Sequence, residues 1–186
     1  LILNNDTILN KDTLSNLFNK INIYGENNIF TGKILNYYNK KIWYAGGKKN
    51  ILTGNMYHLG INKNESNISY KTGNTEFVSG CFMLVKKEII EKLNGFNQIY
   101  KMYYEDVDLC YRASKLGVKC FVVDNALVYH KVSYSIGNNS FSKIIAKLVS
   151  QIKFVYSHNH FILFILSLFF NLILLPFNFI HHLMRK

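Results

Sequence analysis

The sequence predicts an α/β fold, and three observations carry the prediction. A continuous apolar run of strand length, FVSGCFMLV (Phe77–Val85), leads directly into the helical pattern KKEIIEKL. A helix with acids first and bases last, EDVDLCYRASKLG, leads into two strand-like runs, VKCFVV and ALVYHK. The opening LIL passes straight into the polar stretch NNDT, as a buried strand does where it ends in a turn. Strand and helix patterns that alternate along the chain indicate a sheet with flanking helices. The length of 186 residues is enough for one domain with a substantial core. The domain is expected over residues 1–140, with a basic and apolar helical tail over 141–186.

Taken in order, LILNNDTIL is a strand and a turn. KDTLSNLFNKI follows as a short helix, capped by Asp12 or Thr13, with Leu14, Leu17 and Phe18 on one face. Residues from about Tyr24 to Tyr70 are rich in Gly, Asn and Lys, and read as short strands and loops that include IWYAGG (Ile42–Gly47). Phe77–Val85 is a strand interrupted by Ser79 and Gly80. The KKEIIEKL helix stops at Asn94-Gly95, a left-handed stop signal. In the next helix the acids lie in the first turn and Arg112 and Lys115 come late, which suits the helix dipole, and Gly117 ends it. The last two strands join at Asp124-Asn125.

The tail differs from the rest. No Asp or Glu occurs after Asp124, and Phe161–Phe177 (FILFILSLFFNLILLPF) is apolar all round apart from Asn171. A membrane-spanning helix needs about 20 apolar residues, with a lower limit near 17. The segment is therefore expected to associate with a membrane, as a span or as an interfacial or re-entrant helix. Packing as a core helix on the domain is the weaker reading.

The formal net charge of +11 calls for a polyanionic partner: nucleic acid, anionic lipid or nucleotide phosphate. The tail lacks a cluster of Arg or Lys, so a membrane surface fits better than a nucleic-acid groove. Cys81, Cys110 and Cys120 are odd in number and widely spaced, which indicates neither a disulfide framework nor a zinc site. Reduced thiols in a cytosolic setting are expected.

Against that basic background, MYYEDVDLCYR gathers Glu105, Asp106 and Asp108 within four positions. Glu105, Asp108, Leu109 and Arg112 share one helix face. The plain reading is a capped helix start with an Asp108–Arg112 ion pair. The flanking Tyr103, Tyr104, Val107 and Cys110 imply partial burial, and buried carboxylates are costly unless paired or functional. One acid can pair with the arginine while another stays free to act as a base. Asp6, just after a strand, can hold a hard divalent cation, or it can simply form a turn. A lone strand-end histidine such as His130 is more often structural than a ligand.

In combination, LILNNDTIL, IWYAGG, FVSGCFMLVKKEIIEKLNGF and YYEDVDLCYRASKLGVKCFVVDNALVYHKVS resemble family-two glycosyltransferases of the A-type fold, of the rhamnosyltransferase and cell-wall polysaccharide kind. The resemblance covers about residues 1–140, the second half of that fold. It implies a partial GT-A domain with a mixed sheet. It also implies inverting transfer of a sugar from a nucleotide-sugar donor to a hydroxyl acceptor of a cell-surface glycan or lipid-linked precursor, at the cytoplasmic face of the cell membrane. By the same resemblance Asp106 is the catalytic base, with Glu105 beside it. Asp6 and His130 are candidate ligands of a divalent metal, Mg²⁺ or Mn²⁺, although Asn4 and Asn5 stand where the family pattern has earlier acids. Ser79 and Gly80 line the sugar sites, and Trp43, Asp108 and Arg112 are further candidate substrate-binding residues. The family's upstream nucleotide-binding half has no counterpart in the sequence, so a fragment, or a chain working with a split partner, is expected. The competing expectations are a non-catalytic, membrane-anchored remnant of the same fold and, more remotely, a nucleic-acid-binding protein.

Overall fold

The computed structural model describes residues 1–50, 53–67, 71–131, 140–159, 164–166 and 168–169. The chain runs β1 (Ile2–Leu3), β2 (Thr7–Leu9), α1 (Thr13–Tyr24), β3 (Ile29–Asn36), β4 (Ile42–Tyr44), β5 (Gly47–Lys49) and β6 (Met56–His58). A single 3₁₀ turn, Glu65–Asn67, comes before β7 (Gly73–Thr75) and β8 (Phe82–Met83). Then come α2 (Lys87–Lys92), α3 (Glu105–Lys115), β9 (Cys120–His130) and α4 (Ser140–His158).

The main sheet has five strands in the order β2-β9-β3-β4, with β7 also on β9. β3 and β9 are parallel, while β2, β4 and β7 are antiparallel to their neighbours, so the sheet is mixed as expected. Two small antiparallel pairs, β1-β8 and β5-β6, stand beside it. The core lies where β3, β9 and α3 meet, around Ile29, Phe30, Ile34, Phe82, Leu109, Val123 and Val128.

Several expectations change. β3 is an eight-residue strand, buried along seven of its positions, at the centre of a region expected to hold only short strands. Its interior lysine explains the difficulty. Lys33 is buried and paired with Glu65 at 3.1 Å, and it breaks the apolar pattern without breaking the strand. In Phe77–Val85 only Phe82–Met83 form a strand, because residues 77–80 leave the ladder to form a loop. VKCFVV and ALVYHK are one strand, β9, since both ends pair with β3 around an irregularity at Asp124–Ala126. On α1 the buried residues are Thr13 and Leu17, with Ile21 packed against the core, whereas Leu14 and Phe18 are exposed. Asp12 occupies the N-cap position without a side-chain capping bond, and Thr13 Oγ1 donates instead to Leu127 O at 2.5 Å.

Gly32 faces the β9 irregularity. A Cβ there would lie 1.9 Å from Ala126 O, a backbone atom that cannot yield cheaply. Gly32→Ala is expected to destabilise the fold by about 3 kcal/mol, the upper end for overpacking. Urea denaturation checks this, and an unchanged midpoint would show that the irregularity is not held by that close approach.

The apolar segment Phe161–Phe177 lies largely outside the described residues. No helix among the described residues is long and apolar enough to cross a membrane. The first part of the tail, α4, packs on the domain through buried Ser150, Gln151, Phe154 and Val155. α4 has one inward face rather than being apolar all round, and it is a different segment from Phe161–Phe177.

Candidate active site

α3 forms where the sequence predicts it, and its first turn sits on an unusual backbone. Tyr103 and Tyr104 both adopt left-handed conformations, with φ of +65° and +70°. Tyrosine pays for this region in steric strain, which persists only where the surroundings fix it. Here Tyr104 is buried, and its hydroxyl donates to Gly54 O at 2.9 Å. Its carbonyl accepts the Asp108 N–H at 2.8 Å, so the strained residue opens the helix.

This entry aims Asp106 at the loop before β8. The Gly80 N–H donates to Asp106 Oδ2 and the Val107 N–H to Oδ1, each at 2.8 Å. A Cβ on Gly80 would stand 3.4 Å from that of Asp106, an ordinary van der Waals contact. Burial raises the Asp106 carboxyl above its ordinary range, and the backbone hydrogen bonds oppose the rise only in part. Glu105 is raised as well, by burial first and then by the charge of Asp106. Its Oε2 is buried with no hydrogen-bond partner among the described residues.

β1 pairs with β8, and the Asn4 N–H donates to Cys81 O at 3.0 Å, so the NNDT turn lies beside the Ser79–Cys81 loop. The Cys81 thiol is pushed up to about 12 by burial, then by the charges of Asp6 and Asp106. Asp6, two residues after Asn4, and Asp106, bonded to Gly80, thus both border the Ser79–Cys81 loop. β2 sets Thr7 opposite His130 on β9, and His130 Nε2 approaches Asp6 Oδ1 to 3.2 Å. Asp6 Oδ1 and His130 Nδ1 are buried without a hydrogen bond among the described residues. Trp43 closes this side, its ring edge-on to His130 with centroids 4.8 Å apart. Ser79 is buried, and its Oγ accepts the Cys81 N–H at 3.3 Å.

Asp108 and Arg112, expected among the ligand-contacting residues, are engaged within the fold. Asp108 is fully buried. Its Oδ2 takes Arg112 Nε at 2.7 Å and its Oδ1 lies 2.6 Å from His158 Nε2. Arg112 also donates to Leu93 O at 2.6 Å and Gly95 O at 2.9 Å. The arrangement leaves the Asp108 carboxylate without a free oxygen and directs Arg112 at the end of α2. His158 is the residue that sequence reasoning missed.

The acids of α3 therefore divide. Asp108 is neutralised by two cationic or donor groups, whereas among the described residues Asp106 has only backbone donors and can accept a proton. Asp6 and His130 offer oxygen and nitrogen donors with buried atoms that make no hydrogen bond among the described residues, a set that fits a divalent cation. Among the described residues no group of three or more His, Cys, Asp or Glu side chains is gathered as a complete cage, so such an ion would need further ligands.

Residues 59–134, which hold Ser79, Gly80, Glu105, Asp106 and His130, match the family model described as the N-terminal domain of galactosyltransferase. The centre of this chain is glycosyltransferase-like. The rhamnosyltransferase WbbL of Escherichia coli (strain K12) is 37% identical over 85 residues, 45% of this chain and 31% of that protein. An N-acetylglucosaminyl-diphospho-decaprenol L-rhamnosyltransferase of Mycobacterium tuberculosis (strain CDC 1551 / Oshkosh) is 36% identical over 70 residues, 38% of this chain and 23% of that protein. The chain thus covers less than a third of the length of either relative. Asp6 and Trp43 lie outside the glycosyltransferase-like segment matched by the family model.

Proposed function

We propose that the protein takes part in inverting transfer of a sugar from a nucleotide-sugar donor to a hydroxyl of a cell-surface glycan or a lipid-linked precursor. The observation that carries this reading is the Asp106 carboxylate. It is held by the Gly80 and Val107 amides, raised by burial, and free of the cations that neutralise Asp108 two residues later. An inverting transfer is a single in-line displacement, and it needs one base to take the acceptor proton. Asp106 fills that role, with Glu105 beside it. Ser79, Gly80 and Trp43 border the space in which the donor sugar and acceptor would meet. Asp6 and His130 would hold a Mg²⁺ or Mn²⁺ ion, which when bound supplies positive charge for the leaving diphosphate.

Work at the cytoplasmic face of the membrane is part of the same proposal. α4 leaves Ile145, Val149, Ile152 and Tyr156 exposed at spacings of one helical stripe. The apolar sequence that follows continues this character, and the absence of acids after Asp124 suits anionic lipid.

The full-length protein should transfer label from a nucleotide-sugar panel to a polyprenyl-diphosphate-linked sugar only when Mg²⁺ or Mn²⁺ is present. Asp6→Ala should raise the metal concentration for half-maximal rate by about tenfold or more. No transfer with any donor would overturn the proposal, and a metal response unchanged in Asp6→Ala would remove Asp6 from the metal site.

A further inference from the structure

His158 lies far from the acidic motif in sequence, on a helix that nothing above assigns to the chemistry. Yet α4 attaches itself to the segment that leads into α3 at successive points. Lys153 Nζ donates to Ile99 O at 2.8 Å and Ser150 Oγ to Met102 O at 2.7 Å. Gln151 Nε2 donates to Thr53 O at 2.5 Å, next to the Gly54 carbonyl that holds Tyr104. Phe154 packs on both Tyr104 and Tyr111, each at 5.7 Å between centroids.

His158 ends this series. Its ring lies 4.6 Å from Tyr111 and 4.8 Å from Phe154, which fixes the plane of the imidazole. Its Nε2 stands 2.6 Å from Asp108 Oδ1. An ionised carboxylate only accepts, so Nε2 carries the proton in this contact. Arg112 takes the other oxygen from the side of α2. Asp108 is thereby gripped from two directions, one within α3 and one from the tail helix. It lies in the same first turn as Asp106, whose backbone entry at Tyr103 and Tyr104 is strained and needs such support.

We infer that His158 is a positioning residue for the site: by holding Asp108 it fixes the first turn of α3 and so the placement of Asp106 against Gly80. The tail helix is then part of the active-site scaffold. This inference rests on the assignment of Asp106 as the base.

The test uses the full-length protein with His158→Ala and His158→Gln, the latter keeping a neutral N–H donor. For His158→Ala, kcat should fall by about 10- to 100-fold with the donor KM changed by less than about threefold, as for a displaced catalytic group. His158→Gln should recover most of that loss. Hydrogen exchange at the amides of residues 105–109 should quicken in His158→Ala, while β3 and β9 stay protected. Unchanged exchange at 105–109 in folded His158→Ala would overturn the inference, as would turnover within about twofold of the parent. If His158→Ala does not fold, His158→Phe, which keeps a ring against Tyr111 and Phe154 but has no N–H, takes its place: quickened exchange at 105–109 with a lowered kcat supports the inference, and parent-like values of both overturn it. If the parent protein transfers no sugar, the proposed function fails, and the exchange result still decides whether His158 holds the turn.

Discussion

Asp106→Asn is expected to lower sugar transfer by about 10²- to 10⁴-fold, the range for loss of a general base, while the protein stays folded. The amide can keep one of the two backbone hydrogen bonds that the carboxylate accepts from Gly80 and Val107, and it must turn an NH₂ toward the other. The cost in stability should therefore stay near about 1 kcal/mol. A companion signature lies in pH. Burial raises the Asp106 carboxyl, so the acid limb of kcat/KM should fall above about 3.9, the ordinary aspartate value. Activity rises with pH through the raised value, because the base must lose its proton. Stability moves the other way. A carboxyl raised by folding favours the protonated native state, so its contribution is present below about 3.9 and is lost as pH rises through the folded value. Asp106→Asn should remove that decline. Turnover above a tenth of the parent rate would dismiss Asp106 as the base.

The second large effect concerns Asp108. Asp108→Asn is expected to destabilise the fold by about 3 kcal/mol, since it leaves Arg112 and His158 facing an amide in a buried place. Part of the Arg112 side chain reaches solvent, which keeps the cost at the lower end for broken buried pairs. Hydrogen bonds from His158 and Arg112 hold the Asp108 carboxyl below its usual range against its burial. Its stabilisation is therefore present above about 3.9 and is lost as pH falls through the folded value. Urea titrations at neutral and acidic pH read both numbers. A loss below about 1 kcal/mol at neutral pH would mean that the pair acts like an exposed one.

The two acids stand two positions apart and have opposite fates, and the sequence indicates only part of the reason. The start of α3, its late bases and the stop at Gly117 were legible because short-range rules govern them. The pairing of Asp108 with Arg112 was legible as an i, i+4 contact. His158 was not, since a lone histidine beside an apolar tail carries no spacing signal and meets Asp108 only through tertiary packing. β3 was missed for a related reason: Thr31, Gly32 and Lys33 look like loop residues until Ala126 and Glu65 are seen opposite them. The same limit applies to Phe77–Gly80, where an apolar run indicates burial but does not distinguish a strand from a buried loop.

β9 has a consequence for how the molecule forms. It pairs with β2, β3 and β7, and Thr13 on α1 reaches Leu127 across 114 residues. The sheet cannot close, and Asp6 cannot meet His130, until nearly the whole domain has left the ribosome. Loop-closure entropy is then lost before most native contacts offset it, so folding should be slow for a chain of this size. A nascent chain halted before Cys120 would hold β3 with its longest edge bare, the species most prone to aggregate during synthesis.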